Sequence, residues 1–217
     1  MNRLLTTTTG MLLAALLLFA PLLAATEDRS TPDGLISAVF DDALAVLIEN
    51  QETIRDDADS AAALIDAVFG PHIHFRLMSQ LVLTTHWRDA SDAQRDRFVD
   101  AFRSHLARSY ANLLTSNLDD ALRVIERDEQ LLELRSTTEP DARGRVSVRG
   151  DFNIDGERMP VTYRLIATDD GWKIWDMVIE NISFVTNYRD EFGSRARRAG
   201  LDGLIDELER RDAPIVQ

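Results

Sequence analysis

The sequence predicts an α+β domain in which N-terminal helices pack on a curved antiparallel sheet of about five strands, followed by C-terminal helices, the whole able to enclose a cavity. Three observations predict it. Apolar residues recur at helical spacing through the first half, the period changes to alternation after about Asn117, and the alternating segments are joined by connections too short for a crossover helix. Helical spacing then returns in the tail.

The chain begins with targeting grammar. Arg3 precedes an uncharged stretch from Leu4 to Ala25 whose apolar centre, Met11 to Ala20, is short of the roughly 20 residues a bilayer span needs. Pro21 and the small residues Ala24 and Ala25 suit cleavage after Ala24 or Ala25, which assigns residues 1–25 to a signal peptide and 26–217 to a single domain. The alternative is an uncleaved anchor. With no cysteine in the chain, neither a diacylated N-terminus nor a disulfide framework is available.

Thr31-Pro32 is a helix start, and Leu35, Ile36, Val39, Phe40, Ala43, Leu44, Leu47 and Ile48 follow at helical spacing. A second helix is expected over Ser60–Phe69, closed by Gly70-Pro71, and a third carries Phe75, Leu77, Met78, Leu81 and Val82. Ser91 with Gln94 forms a capping box that opens a long helix bearing Phe98, Phe102, Leu106, Tyr110 and Leu113. Strands are expected near Ala121–Glu126, Leu131–Thr138, Arg145–Ile154, Arg158–Thr168 and Trp172–Glu180, with hairpin turns at Asp155-Gly156 and Asp169-Asp170-Gly171. Val146, Val148, Phe152 and Ile154 share one face, as do Val161, Tyr163, Leu165 and Ala167. The last strand reads as central and doubly covered, with Trp172, Ile174 and Val178 on one side and Trp175, Met177 and Ile179 on the other. Two tail helices, Ser183–Arg198 and Leu201–Arg211, are separated by Gly200.

Charge narrows the partners. The 24 basic and 37 acidic residues give a net charge of −13, and loss of Arg3 with the signal peptide makes the remainder one unit more negative. Nucleic acid is therefore excluded as an expected partner, and free adsorption to anionic lipid is disfavoured.

An enzyme reading would draw on His72, His74, His86, Asp176, Tyr163 and Tyr188. His72-x-His74 with His86 could form a zinc site, although no Cys, Asp or Glu sits at ligand spacing beside the pair, and the other reading is surface or capping histidines. Asp176, among apolar neighbours on its strand, could be a proton-transfer carboxyl or a hydrogen-bonded structural one. No Gly-rich phosphate loop, Gly-x-Ser-x-Gly elbow or Cys nucleophile is present.

The segment from Trp172 to Phe192, WKIWDMVIENISFVTNYRDEF, followed by Gly200-Leu201-Asp202-Gly203-Leu204-Ile205, resembles the signature of the MlaC family of periplasmic phospholipid-binding proteins, also known as toluene-tolerance or ABC-transporter auxiliary proteins. Phe75-Arg76-Leu77-Met78, Trp87-Arg88-Asp89-Ala90-Ser91, Gln94-Arg95, Phe98, Phe102 and Tyr110 agree with its helical half, so the resemblance spans roughly Leu35 to Leu208. Two positions depart from it: the family usually has Asp at His74 and Gly at Thr84. The resemblance implies an NTF2/cystatin-like sheet with helices, a deep apolar cavity for acyl chains, no catalysis, no cofactor and no metal. It also implies a place in a system that maintains outer-membrane lipid asymmetry. The partners would be an inner-membrane ABC transporter complex with its substrate-binding subunit and an outer-membrane lipoprotein-porin complex.

Candidate lipid-binding residues are Leu77, Met78, Leu81, Phe98, Phe102, Tyr110, Val148, Val161, Tyr163, Leu165, Ile174, Phe184, Val185, Tyr188 and Phe192, each of which could equally be ordinary core. Arg189 could meet a phosphate or pair with Asp176 or Glu191. The Arg195, Arg197, Arg198 and Arg210, Arg211 clusters could dock a transporter component or be solvated near helix ends. The expectation is a mainly monomeric periplasmic phospholipid carrier; the rivals are a hopanoid-type carrier and an NTF2-like cavity enzyme of isomerase or dehydratase type with Asp176 or His74 as base.

Overall fold

The computed structural model describes residues 28–127, 130–154 and 156–210. The signal-peptide expectation, Asp155 of the first hairpin turn and Arg211 lie outside these.

Local chemistry starts several of the helices. Pro32 opens α1 (Pro32–Glu49), where Thr31 Oγ1 accepts the Gly34 amide at 3.2 Å. Two short helices follow, α2 (Gln51–Asp56) and α3 (Ala58–Phe69), and then a 3-10 turn at Gly70–His72. Next come α4 (Phe75–Leu83) and α5 (Thr85–Asp89). The expected capping box is present: Ser91 and Gln94 satisfy each other's backbone amides and start α6 (Asp92–Ser116).

The strand expected at Ala121–Glu126 is instead the helix α7 (Leu118–Arg127). Leu118, Leu122 and Ile125 recur at i, i+4 and i+7 while Asp119, Asp120, Arg123 and Glu126 take the other side, so the helical period wins over a short alternation.

The sheet is antiparallel, in the order β1 (Leu132–Thr137), β2 (Arg145–Ile154), β3 (Glu157–Thr168), β4 (Gly171–Ile179) and β5 (Ile182–Ser183). Its fifth strand is the two-residue β5, reached through Glu180 and Asn181, both left-handed as a two-residue hairpin requires. The two expected tail helices form α8 (Phe184–Glu209), broken at Gly200 by φ 76° and ψ 169°, a conformation glycine adopts without a Cβ clash.

The expected faces of the last long strand need correction. β3 and β4 pair Arg164 with Asp176 but Leu165 with Ile174, so Trp175 is an extra residue, a β-bulge. The bulge turns Met177 and Ile179 to the side of Trp172 and Ile174, where they join the cluster with Val161, Tyr163 and Leu165, and turns Asp176 to the opposite side with Arg164. Nor is β4 central along its length. Among the described residues, beyond it lie only β5 at one end and Ile73, bridged in parallel to Ile174, at the other.

Packing separates into layers. Leu35, Ile36 and Val39 of α1 cover the inner face of the sheet. Met78, Val82, Phe98, Phe102, Tyr188 and Phe192 centre a second cluster formed by α4, α6 and α8. Leu47 carries α1 on to a third, where Ile54, Ala61, Ala111 and Leu118 join α2, α3, α6 and α7. α6 packs on α2, α3, α4, α7 and α8 and makes at most marginal contact with any strand.

Thr84, between α4 and α5, has φ 52° and ψ −107°, a conformation that costs a β-branched residue on the order of 1–3 kcal/mol. Glycine relieves that strain and gives back somewhat under 1 kcal/mol in unfolded-chain entropy. Thr84→Gly is therefore expected to raise the unfolding free energy by about 1 kcal/mol, read as a higher urea midpoint at unchanged slope; a lower midpoint would show that Thr84 is held by a favourable contact.

Candidate functional site

The fifteen candidate residues do not form one lining. Met78, Phe98, Phe102, Val185, Tyr188 and Phe192 are buried in the helix cluster, with Leu81 and Phe184 partly buried against it. Val148, Val161, Tyr163 and Leu165 are buried in the sheet cluster, with Ile174 beside them. Leu77 is half-buried outside both, and Tyr110 is 41 % exposed.

An aromatic series links the helix cluster to Tyr110. Ring centroids lie 5.4 Å apart from Phe102 to Phe192, 5.2 Å from Phe192 to Tyr188, 4.6 Å from Tyr188 to Phe184 and 6.3 Å from Phe184 to Tyr110. Burial holds the phenols of Tyr163, Tyr188 and Tyr110 above their ordinary pKa. For Tyr110 that sits beside substantial exposure. Tyr110 stands at the exposed end of this series, on α6.

Two of the residues considered for catalysis, Asp176 and His74, are otherwise engaged. Asp176 is fully buried; its oxygens accept from Arg164 Nη1 at 2.8 Å, Ser183 Oγ at 2.8 Å and the Val185 amide at 3.0 Å. His74 Nδ1 accepts the Leu77 amide at 3.3 Å and so caps α4, and burial lowers the pKa of both His74 and His72. Among the described residues no three His, Asp or Glu side chains converge to hold a metal ion.

Two arginine expectations also need correction. Arg189 pairs with neither Asp176 nor Glu191; its Nε donates to the Leu81 carbonyl at 3.0 Å, because Asp176 is taken by Arg164 and Glu191 by Arg195. Arg195 is not a solvated or docking residue. It is 7 % exposed and bonds Glu191 at 2.7 Å and Glu207 at 2.6 Å, joining the two halves of α8 across Gly200. Arg197, Arg198 and Arg210 are exposed.

Sequence reasoning missed a cleft of about 350 Å³ between α1, α7 and the start of β1, lined by Phe40, Leu44, Ile125, Leu131 and Leu132 with Ser37, Asp41 and Gln130. Phe40 and Leu44 belonged to a legible apolar stripe, but Ile125 was assigned to a strand, so nothing brought the two segments together.

The MlaC protein family profile matches residues 37–210 of the chain. The chain is 25 % identical over 198 residues to the toluene tolerance protein ttg2D of Pseudomonas putida, a match covering 89 % of this chain and 86 % of that one. It is 20 % identical over 193 residues to the intermembrane phospholipid transport system binding protein MlaC of Haemophilus influenzae, covering 87 % and 86 %. Its fold is similar to that of the phospholipid-binding protein from Ralstonia solanacearum, solved in complex with a phospholipid. There the TM-score is 0.67 and the identity 24 %, over 82 % of this chain and 94 % of that one.

Two outcomes follow from the buried groups. Removing the Asp176 carboxylate leaves Arg164 and the first turn of α8 without an acceptor, so Asp176→Ala is expected to cost about 3 kcal/mol in urea unfolding, and Asp176→Asn less. His105 is 2 % exposed, and burial, followed by the charges of Arg108 and Arg195, lowers its pKa from 6.5 to about 4. Because the folded pKa lies below the unfolded one, the contribution is complete above about pH 6.5 and falls away towards pH 4, by roughly 3 kcal/mol in all. The urea midpoint of the parent chain should drop across that window, and that of His105→Leu should drop distinctly less.

Proposed function

The chain belongs to the MlaC protein family, and on that premise we propose that it is a non-enzymatic phospholipid carrier of the periplasm. It passes lipid between an outer-membrane lipoprotein-porin complex and an inner-membrane ABC transporter complex with its substrate-binding subunit, in a system that maintains outer-membrane lipid asymmetry. The observation that carries this reading is the separation of two apolar layers. The large apolar side chains of the helix bundle and of the sheet's inner face fall into separate clusters, and the backbone of α6 makes at most marginal contact with any strand.

The energetics require such a space. Two acyl chains of about sixteen carbons, at ~0.8 kcal/mol per methylene, lose on the order of 20 kcal/mol on entering water. A carrier must replace bilayer by apolar wall, and a headgroup left at the mouth needs little charge complementarity. Charge points the same way: a chain at −13 is repelled by anionic membrane surfaces and meets its donor and acceptor as proteins. Among the described residues no helix is long and apolar enough to cross a membrane. The enzyme reading has little support, since Asp176 and His74 both spend their acceptor atoms on protein donors.

Native mass spectrometry of gently purified protein is expected to show copurified phospholipid, and the delipidated protein should take up phospholipid from vesicles. Folded Asp176→Asn should keep both properties, because the carboxylate has no chemical role. Repeated absence of bound lipid together with absence of uptake would overturn the carrier reading; uptake abolished in folded Asp176→Asn would revive a chemical one.

A further inference from the structure

We infer that the cleft between α1 and α7 is the passage through which the acyl chains of a phospholipid enter and leave, with α7 as the side that yields. This rests on the carrier reading and goes further, because it assigns a place and a moving part.

Continuity is the first support. Leu132 lines the cleft and also packs against the sheet cluster, so the cleft opens onto the apolar inner face. Phe40, on the opposite wall, lies with its ring centroid 6.1 Å from Phe152, the strand partner of Leu132. An acyl chain in the cleft would pass from one apolar contact to the next, while Ser37, Gln130 and the exposed carboxylate of Asp41 add polar groups to the lining.

The attachment of α7 is the second support. Its first turn is anchored, with Leu118 buried in the third cluster, Leu122 packed beside it and Asp119 paired with Arg55 at 2.7 Å. Its last turn presents Ile125 to the cleft. The helix packs on α2 and α6 and makes at most marginal contact with α1 or the sheet. A ten-residue helix whose buried apolar contacts lie at its start yields more readily at its last turn, where Ile125 is half-buried and Arg127 is engaged, since local opening follows the local loss of apolar contact.

The absence of cysteine makes the passage testable with unique thiols. Leu44→Cys with Ile125→Cys places one thiol on each wall, to be joined by a short cross-linker that a reductant cleaves. Asp59→Cys with Ser104→Cys, two positions lining the separate cleft between α3 and α6, is the control. Uptake is followed from vesicles of phosphatidylethanolamine and phosphatidylglycerol containing a self-quenched fluorescent phospholipid. The cross-linked Leu44–Ile125 pair should take up lipid at least tenfold more slowly, recover on reduction, and differ from an unaffected control. Unchanged uptake in the cross-linked protein, or equal slowing of the control, overturns the passage and leaves the carrier reading standing. Failure of uptake in the uncross-linked parent overturns the carrier reading itself. Should the double variant not fold, Ile125→Trp, which fills the cleft from a half-buried position, answers the same question: slowed uptake with copurified lipid retained supports the passage, and the parent rate overturns it.

Discussion

Asp176 is wholly excluded from solvent, and a carboxylate is tolerated there only because donors from three segments converge on it: the Arg164 guanidinium of β3, the Ser183 hydroxyl of β5 and the Val185 amide in the first turn of α8. The bulge at Trp175 is what aims it there. In an unbroken alternation Asp176 would share a face with Ile174 and turn its charge into the sheet cluster. Displaced by one residue, it becomes the peg on which α8 is hung. The same strand carries the other ties, since Ile174 accepts the His74 amide at 2.8 Å and Lys173 Nζ donates to the Pro71 carbonyl at 2.7 Å. Helix bundle and sheet are joined along β4.

The second joint is α1. Its first half packs on the sheet and its second half on the third cluster, while Trp172 Nε1 donates to the Ser30 carbonyl at 3.0 Å and fixes its start to β4. Two layers held by one seam and one strap need not interdigitate between them. The helix bundle is stabilised within itself, by the aromatic series on α6 and α8 and by the ion pairs of Arg195, so its packing does not depend on the sheet cluster.

What the sequence revealed was local. Thr31-Pro32, the Ser91–Gln94 capping box and Gly200 act on backbone a few residues away, so their meaning is written beside them. What stayed hidden was relational. A bulge leaves no mark in a strand that is apolar on both faces, so nothing in residues 172–179 announced that Trp175 is supernumerary. Arg189 had two acids within plausible reach, and only the fold shows that Arg164 and Arg195 had already claimed them. The candidate lining was legible as apolar faces, but the residue types that line a hollow are the same as those that fill a core. Its division between sheet and helices came only with the structure.

Rigidity is unevenly spread, and its distribution follows the two joints. On the α8 side, Arg195 holds Glu191 and Glu207 across the break at Gly200, with His105 kept neutral behind them against the rings of Tyr188 and Phe192. Separating those groups would strand charge in an apolar interior, so that side resists opening. On the far side α7 faces α1 across a cleft, where its last turn presents the half-buried Ile125, while Leu118 and Leu122 anchor its start. For the lipid carrier proposed above, such an asymmetry would separate holding from release: uniform stiffness would trap the ligand, and uniform looseness would fail to keep it.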